Sequence, residues 1–131
     1  MLEIAAPDKV RLVIACDDEN YRNSIAAVLS LSPFVEIAKK SREGEEGAAY
    51  VSRIDPDVVI LGVSPEKDCA ADAAYYEECF RGELICFAFD EEQSRAYRAH
   101  GFERIATGGE TRTELEKLIC EAMISYRGSL A

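Results

Sequence analysis

The feature that most constrains the fold of this chain is a regular alternation between short apolar runs and longer segments with helical periodicity. Runs rich in β-branched residues are each followed by a segment whose apolar residues recur at helical spacing. The apolar runs are predicted to be strands, at residues 10–16, 34–38, 57–63, 84–89 and 104–107. The alternation predicts a doubly wound (βα)5 α/β fold, a three-layer sandwich in which helices cover both faces of a five-stranded parallel sheet.

Short polar motifs mark where the helices between these strands begin. Ser41, Ser64 and Asp90 precede three helical segments as N-cap residues do, and Pro65 suits a first helical turn. Thr111 starts a Thr-x-x-Glu capping box before the last helix. These signals predict the starts of four helices.

Length and composition are those of one globular domain, residues 1–131. Twenty-five acidic and fifteen basic residues give a net charge of −10, which disfavours binding to nucleic acid or to anionic lipid. No secretory signal precedes the first strand, and no run approaches the ~20 apolar residues of a membrane-spanning helix. We therefore expect a cytoplasmic protein without direct contact to nucleic acid or membrane.

The five cysteines lack C-x-x-C spacing and fall within apolar strand or helix patterns. Free cysteine usually behaves as a small hydrophobic residue. We therefore predict reduced, buried thiols.

The loops that follow parallel strands share one edge of the sheet, where folds of this kind bind ligands. The residues predicted to lie there are Asp17, Asp18, Gly62, Ala88, Asp90 and Gly108. Asp17 and Asp18 provide two carboxylates for weak Mg²⁺ binding, or they stabilise the amino end of the first helix. No other cofactor is expected.

Several motifs occur at intervals that resemble the receiver domain of two-component response regulators, the CheY-like family, over about residues 9–127. They are the acid cluster after the first strand, the PDVVIL sequence at 56–61, Pro65, and the AHGFE sequence at 99–103. In that family an acid pair binds magnesium and an aspartate ending the third strand accepts a phosphoryl group. A hydroxyl residue ends the fourth strand and a lysine ends the fifth.

Carried over residue by residue, the resemblance keeps the acid pair at Asp17 and Asp18 but loses the rest of the phosphorylation site. The acceptor position is Gly62, the hydroxyl position is Ala88 and the lysine position is Gly108. Ile105 occupies the switch position, which often holds an aromatic residue. Because glycine cannot supply a carboxylate nucleophile, the resemblance implies a degenerate pseudo-receiver without the phosphoacceptor aspartate.

The resemblance implies a phosphorylation-independent signalling or protein-interaction module of a two-component-like system, and not an enzyme. Its partner would be a kinase, a regulator or an output protein, with an output domain supplied by another polypeptide or by a segment absent from this sequence. Receivers commonly use the fourth helix, fifth strand and fifth helix for partners or homodimers, here about residues 91–126. On that face we predict contacts by Tyr97, Arg98, Arg104 and Arg112.

Two other functions stay open. The first is a flavodoxin-like small-ligand-binding or enzyme domain, with Gly108 and Gly109 as the candidate anion cradle. The second is a receiver phosphorylated at a noncanonical residue, for which Ser64 and Asp90 are candidates. A different carboxylate in the place of the missing acceptor, close to Asp17 and Asp18 and opposite a basic group, would overturn the pseudo-receiver hypothesis.

Overall fold

A computed structural model describes the backbone of residues 9–130 and the side chains of residues 9–124. Strands and helices alternate throughout this range, as the sequence predicts. The strands are β1 Val10–Cys16, β2 Val35–Ser41, β3 Val58–Gly62, β4 Glu83–Phe87 and β5 Ile105–Ala106. The helices are α1 Glu19–Leu29, α2 Glu45–Ile54, α3 Cys69–Glu77, α4 Glu91–Ala99 and α5 Arg112–Leu130.

The strands form one parallel sheet in the order β2-β1-β3-β4-β5. The chain runs outward from β1 to β2 and then returns to place β3 on the other side of β1. The switch point of this doubly wound sheet therefore lies between β1 and β3. At its carboxyl end, Cys16 of β1 is paired with Gly62 of β3.

Two apolar layers cover the sheet, because successive residues of a strand point to opposite faces. Leu12, Ile14 and Cys16 pack with buried residues of α1 and α5 on one face. Val13 and Ala15 pack with buried residues of α2, α3 and α4 on the other. The central strands are thus shielded from water on both sides, and only their ends reach the solvent.

Two of the predicted helix starts are wrong. Ser41 is the buried last residue of β2, its hydroxyl donates to the carbonyl of Arg42 at 2.9 Å, and α2 instead follows Gly44, at φ +91°. Ser64 lies before an irregular loop, and Asp68 caps α3 by accepting from the amide of Ala71 at 3.2 Å. In both places the helix begins later than predicted, after Gly44 in α2 and after Asp68 in α3.

The other two predicted starts are confirmed. Asp90 accepts from the amide of Gln93 at 2.8 Å and caps α4. Thr111 and Glu114 form a reciprocal capping box: the Thr111 amide donates to the Glu114 carboxylate at 2.8 Å, and the Glu114 amide donates to the Thr111 hydroxyl at 3.1 Å. Local capping chemistry therefore fixes both helix starts.

The five cysteines are free thiols, and three of them, Cys16, Cys69 and Cys86, are buried as predicted. Cys120 lies on the exposed side of α5, so the prediction that it is buried is wrong. Among the residues that the structure describes, no helix is long and apolar enough to cross a bilayer.

Gly82, just before β4, lies directly against the loop that precedes β3. A Cβ at this position would stand 2.1 Å from the carbonyl oxygen of Asp57, which is backbone and cannot move aside cheaply. We expect Gly82→Ala to lower the free energy of unfolding in urea by roughly 1–3 kcal/mol. Gly109→Ala is the matched control, since a Cβ there meets no atom within 4 Å. Equal stability of the two variants would contradict this account of the β3–β4 junction.

Candidate functional site

The candidate site lies at the carboxyl ends of β1 and β3, where three loops meet. The amide of Asp17, the first residue after β1, donates to the carbonyl of Gly62 at 3.0 Å, so the paired strands position the start of the first loop. The loop 42–44 follows β2, and the loop 63–68 follows β3. Asp17, Glu43, Ser64 and Lys67 line a cavity of about 510 Å³ between these loops.

The carboxylate of Asp17 joins the three loops. Its Oδ1 accepts from the amide of Glu43 at 3.2 Å, and its Oδ2 accepts from the amide of Ser64 at 3.2 Å. The ammonium of Lys67 also donates to Oδ2 at 3.2 Å. Both oxygens of Asp17 are therefore engaged by donors from other loops, and only 14% of the side chain is exposed.

Glu43 and Lys67 complete an arrangement that we call the acid–lysine triad (Asp17, Glu43 and Lys67). Lys67 Nζ lies 3.0 Å from Glu43 Oε2, and the side chain of Glu43 is only 3% exposed. Burial raises the pKa of Glu43, against the lowering effect of its hydrogen bond with Lys67. The same hydrogen bond raises the pKa of Lys67, which keeps the lysine charged.

Neither Glu43 nor Lys67 was predicted from the sequence to be a site residue. Both lie in loops, where neither apolar periodicity nor a capping pattern marks a residue. One signal was present: Lys67 is the only basic residue between Arg53 and Arg81, and it closely follows the most apolar strand. A lone cation beside the predicted acidic edge of the sheet was therefore a candidate partner for Asp17.

Asp17 and Asp18, the predicted metal ligands, make different contacts. Asp18 Oδ1 accepts from the amide of Tyr21 at 3.1 Å and caps α1, whereas Asp17 binds Lys67. These contacts do not fit a magnesium site formed by the two adjacent carboxylates. Over the part of the chain that the structure describes, no cluster of three or more His, Cys, Asp or Glu residues is arranged to hold a metal ion.

The position at the end of β3 has no room for a side chain. Gly62 is buried, and a Cβ built on it would lie 2.7 Å from Cys16 Sγ and 3.3 Å from Cys16 Cβ. Burial raises the pKa of Cys16 to about 11, so this thiol stays protonated at neutral pH and is a poor nucleophile. Neither Gly62 nor its neighbour offers an acceptor for a phosphoryl group.

The two remaining positions of the resemblance, Ala88 and Gly108, lack the side chains of a phosphorylation site. Ala88 follows β4 and is buried, with 2% of its surface exposed. Gly108 has φ +100°, and a Cβ there would lie 3.0 Å from Phe87 Cζ and 3.1 Å from Tyr21 Cε1. The rings of Tyr21 and Phe87 are themselves in contact, with centroids 5.0 Å apart. The amide of Gly108 donates to Glu110 Oε1 at 2.9 Å, so it is not free to bind an anion.

Other groups near the edge are committed to local contacts. The hydroxyl of Ser64 donates to the carboxylate of Glu66, and Asp90 caps α4. The structure does, however, bring a different carboxylate to Asp17, namely that of Glu43, opposite the basic Lys67. Glu43 thus meets part of the condition set out from the sequence, but it does not stand in the place of the missing acceptor, where the atoms nearest to a Cβ at Gly62 are those of Cys16. Its side chain is also almost fully buried and hydrogen-bonded to Lys67.

One of the four residues predicted for the interaction face, Tyr97, cannot contribute to it. Tyr97 is fully buried on the inner side of α4, where its ring packs near Phe102, so the prediction that it presents an aromatic surface is wrong. Arg104 pairs with Glu83 at 3.3 Å, and Arg112 donates to the carbonyl of Leu31 at 3.3 Å. Arg98 is exposed on α4 and remains available for a partner.

A groove of about 590 Å³ lies beside Arg98, where the ends of β4 and β5 meet α4. Its lining residues include Phe89, Ser94, Arg95 and Thr107. The switch position Ile105 is half-buried and packs against the apolar layer that contains Tyr97. The face therefore combines a groove with exposed arginines.

Comparison with known proteins identifies the class to which this fold belongs. No protein-family model matches the chain. The transcriptional regulatory protein DegU of Brevibacillus brevis is 25% identical over 67 residues, which are 51% of this chain and 28% of that protein. The aligned part thus spans less than a third of this relative.

Solved structures resemble the chain over most of its length. The receiver domain of the putative response regulator NarL from Mycobacterium tuberculosis has a TM-score of 0.72 and 23% identity, with 93% of this chain and 99% of that chain covered. The response regulator domain of Thermotoga maritima CheB has a TM-score of 0.74 and 15% identity, with 88% and 97% covered. The chain therefore has the fold of response-regulator receiver domains.

The contact between Gly62 and Cys16 gives a double-mutant prediction. We expect Gly62→Ala to lower the free energy of unfolding by roughly 1–3 kcal/mol, because the new methyl group meets the Cys16 sulfur. In a Cys16→Ala background the same change should cost less, with a coupling of roughly 0.5 kcal/mol or more in urea denaturation. If the stability losses of the two single variants were strictly additive, the Cys16 thiol would not be the group that a side chain at position 62 meets.

Proposed function

We propose that this chain is a phosphorylation-independent pseudo-receiver, a signalling or protein-interaction module of a two-component-like system and not an enzyme. The observation that carries the proposal is Gly62 at the end of β3, whose Cβ direction is filled by the Cys16 thiol. A phosphoryl acceptor at this point requires a carboxylate, and neither residue has one.

The surroundings of Gly62 agree with this proposal. Stabilising a phosphoryl group requires hydrogen-bond donors and positive charge aimed at its oxygens. Ala88 and Gly108 supply no such side chain, and Lys67, which lines the cavity together with Arg42, is bound to Asp17 and Glu43. The position of Gly62 therefore lacks the groups that would accept and stabilise a phosphoryl group.

The proposal assigns signalling to the outer surface of the domain. Among proteins with this fold, CheY of Borrelia burgdorferi is known in a complex with CheX, BeF3⁻ and Mg²⁺, so that receiver is recognised by another protein. For this chain we propose the surface formed by α4, β5 and α5, where Arg95 and Arg98 flank the groove. The partner would be a kinase, a regulator, an output protein or a second copy of the chain.

A second candidate function is a receiver that is phosphorylated at Glu43. The observation that favours it is the position of this carboxylate, which is bound to the same ammonium as Asp17. Against it, a nucleophile must be reached by the phosphoryl donor, and the side chain of Glu43 is only 3% exposed. We therefore rank this function second.

Incubation with Mg²⁺ and acetyl phosphate, followed by intact-mass measurement of the native protein, tests the first proposal. We expect no added phosphoryl group, whereas a conventional receiver domain treated in parallel should show one. An adduct on the wild-type chain would contradict phosphorylation independence. Its loss in Glu43→Gln, but not in Glu46→Gln, would assign the modification to Glu43.

Light scattering tests the proposed surface for self-association. If the chain forms a dimer through the α4–β5–α5 face, Arg98→Glu should raise the dissociation constant about tenfold, since a contacting charge is reversed. Arg53→Glu, an exposed residue of α2, makes the same charge change elsewhere and should have no effect. Equal weakening by both variants would argue against this surface. A chain that is monomeric at all concentrations would leave a different protein as the partner.

A further inference from the structure

In the acid–lysine triad, the ammonium of Lys67 occupies the position that a bound cation would take between two carboxylates. Lys67 Nζ stands between Asp17 Oδ2, at 3.2 Å, and Glu43 Oε2, at 3.0 Å. The two carboxylate side chains are 14% and 3% exposed, whereas that of Lys67 is 47% exposed. The lysine stem therefore reaches in from the surface and places its charge between two acids that are largely shielded from water.

We propose that Lys67 is the resident cation of this site, and that its ammonium excludes divalent cations from Asp17 and Glu43. The inference rests on the proposed function and deepens it, because it explains how the carboxyl edge of the sheet is kept in one state without metal or phosphate. The residues involved are not the adjacent acid pair that the sequence suggests, since Asp18 caps α1.

The chemistry of the two cations supports this exclusion. Magnesium in proteins is typically held by one or two carboxylates together with water molecules. Here Asp17 Oδ1 already accepts from the Glu43 amide, and Asp17 Oδ2 accepts from Lys67 and from the Ser64 amide. An incoming divalent ion must therefore displace the ammonium or approach it closely, and the repulsion between the two cations disfavours the close approach.

The covalent attachment of Lys67 adds to its advantage. An ion from solution must be drawn from a dilute pool, whereas a tethered group is present at a high effective concentration. Lys67 is held near the site by the loop between β3 and α3, whose Ser64 amide also binds Asp17. The triad thus pins this loop to the loop between β2 and α2, whatever the concentration of divalent ions.

Manganese binding tests the inference, with Mn²⁺ as a paramagnetic substitute for Mg²⁺. In the wild-type chain we expect no selective broadening of the amide signals of Glu43 and Ser64 when Mn²⁺ is titrated into the protein. Lys67→Met keeps the length of the stem but removes the charge. It should bind Mn²⁺ about tenfold or more tightly than the wild type, as measured by water-proton relaxation, because the repulsion is gone.

Three controls separate this explanation from a general effect of charge. Lys117→Met removes one positive charge from the exposed surface of α5 and should bind Mn²⁺ as the wild type does. Lys67→Arg keeps the charge and should also behave like the wild type. Adding Asp17→Asn to Lys67→Met should abolish the gained affinity, since one of the two carboxylates is then lost.

Two outcomes would overturn the inference, and the first of them is measured on the wild-type chain and so does not depend on a variant that must fold. Selective broadening of Glu43 and Ser64 in the wild-type chain would show that Lys67 does not exclude the ion. Equal affinities of wild type and a folded Lys67→Met, checked by circular dichroism, would show the same. Neither result concerns phosphorylation. The mass measurement can therefore contradict phosphorylation independence while Lys67 still excludes divalent cations, and the manganese titration can contradict this exclusion while the chain is still not phosphorylated.

Discussion

The burial of β1 and β3 on both faces is the constraint on which the rest of the structure depends. Residues 12–16 and 58–62 are shielded from water, so these strands are held in fixed register with Cys16 opposite Gly62. The position of the first residue after each strand is therefore fixed by the core as well. Asp17 follows β1 without any intervening residue, and its carboxylate is presented to the loops of the neighbouring strands. The packing of the core thus determines the position of the Asp17 carboxylate in the site.

Much of the fold could be predicted because its signals are carried by neighbouring residues along the chain. The bounds predicted for β1, residues 10–16, are those observed, since an apolar β-branched run ends at once in acids. Asp90 and the pair Thr111 and Glu114 cap their helices as predicted, because a cap involves atoms only three residues apart. Gly62 was also placed at the carboxyl edge of the sheet, although the strand was predicted to run to residue 63 and β3 ends at Gly62.

The triad and the details of the surface could not be predicted, because they depend on contacts between distant residues. Glu43 and Lys67 are 24 residues apart, and Asp17 and Lys67 are 50 apart. Ser64 followed by proline has the composition of a helix start. In the structure, however, these residues belong to the loop that lines the site, and α3 begins only after Asp68. Tyr97 was misassigned because a tyrosine on an amphipathic helix has the same local pattern whether its ring faces outward or inward. Only the packing of α4 against the sheet decides between the two.

The close approach of β1 to β3 has a consequence for how such a site changes over evolutionary time. Any side chain at position 62 meets the sulfur of Cys16, so the two positions are not free to vary independently. A lineage that acquired an acidic residue at 62 first would have to displace the Cys16 sulfur, whereas one that first exchanged the cysteine for a smaller residue would already have space beside position 62. The order of substitutions at positions 16 and 62, and not only their number, therefore sets the barrier to placing a carboxylate at the end of β3.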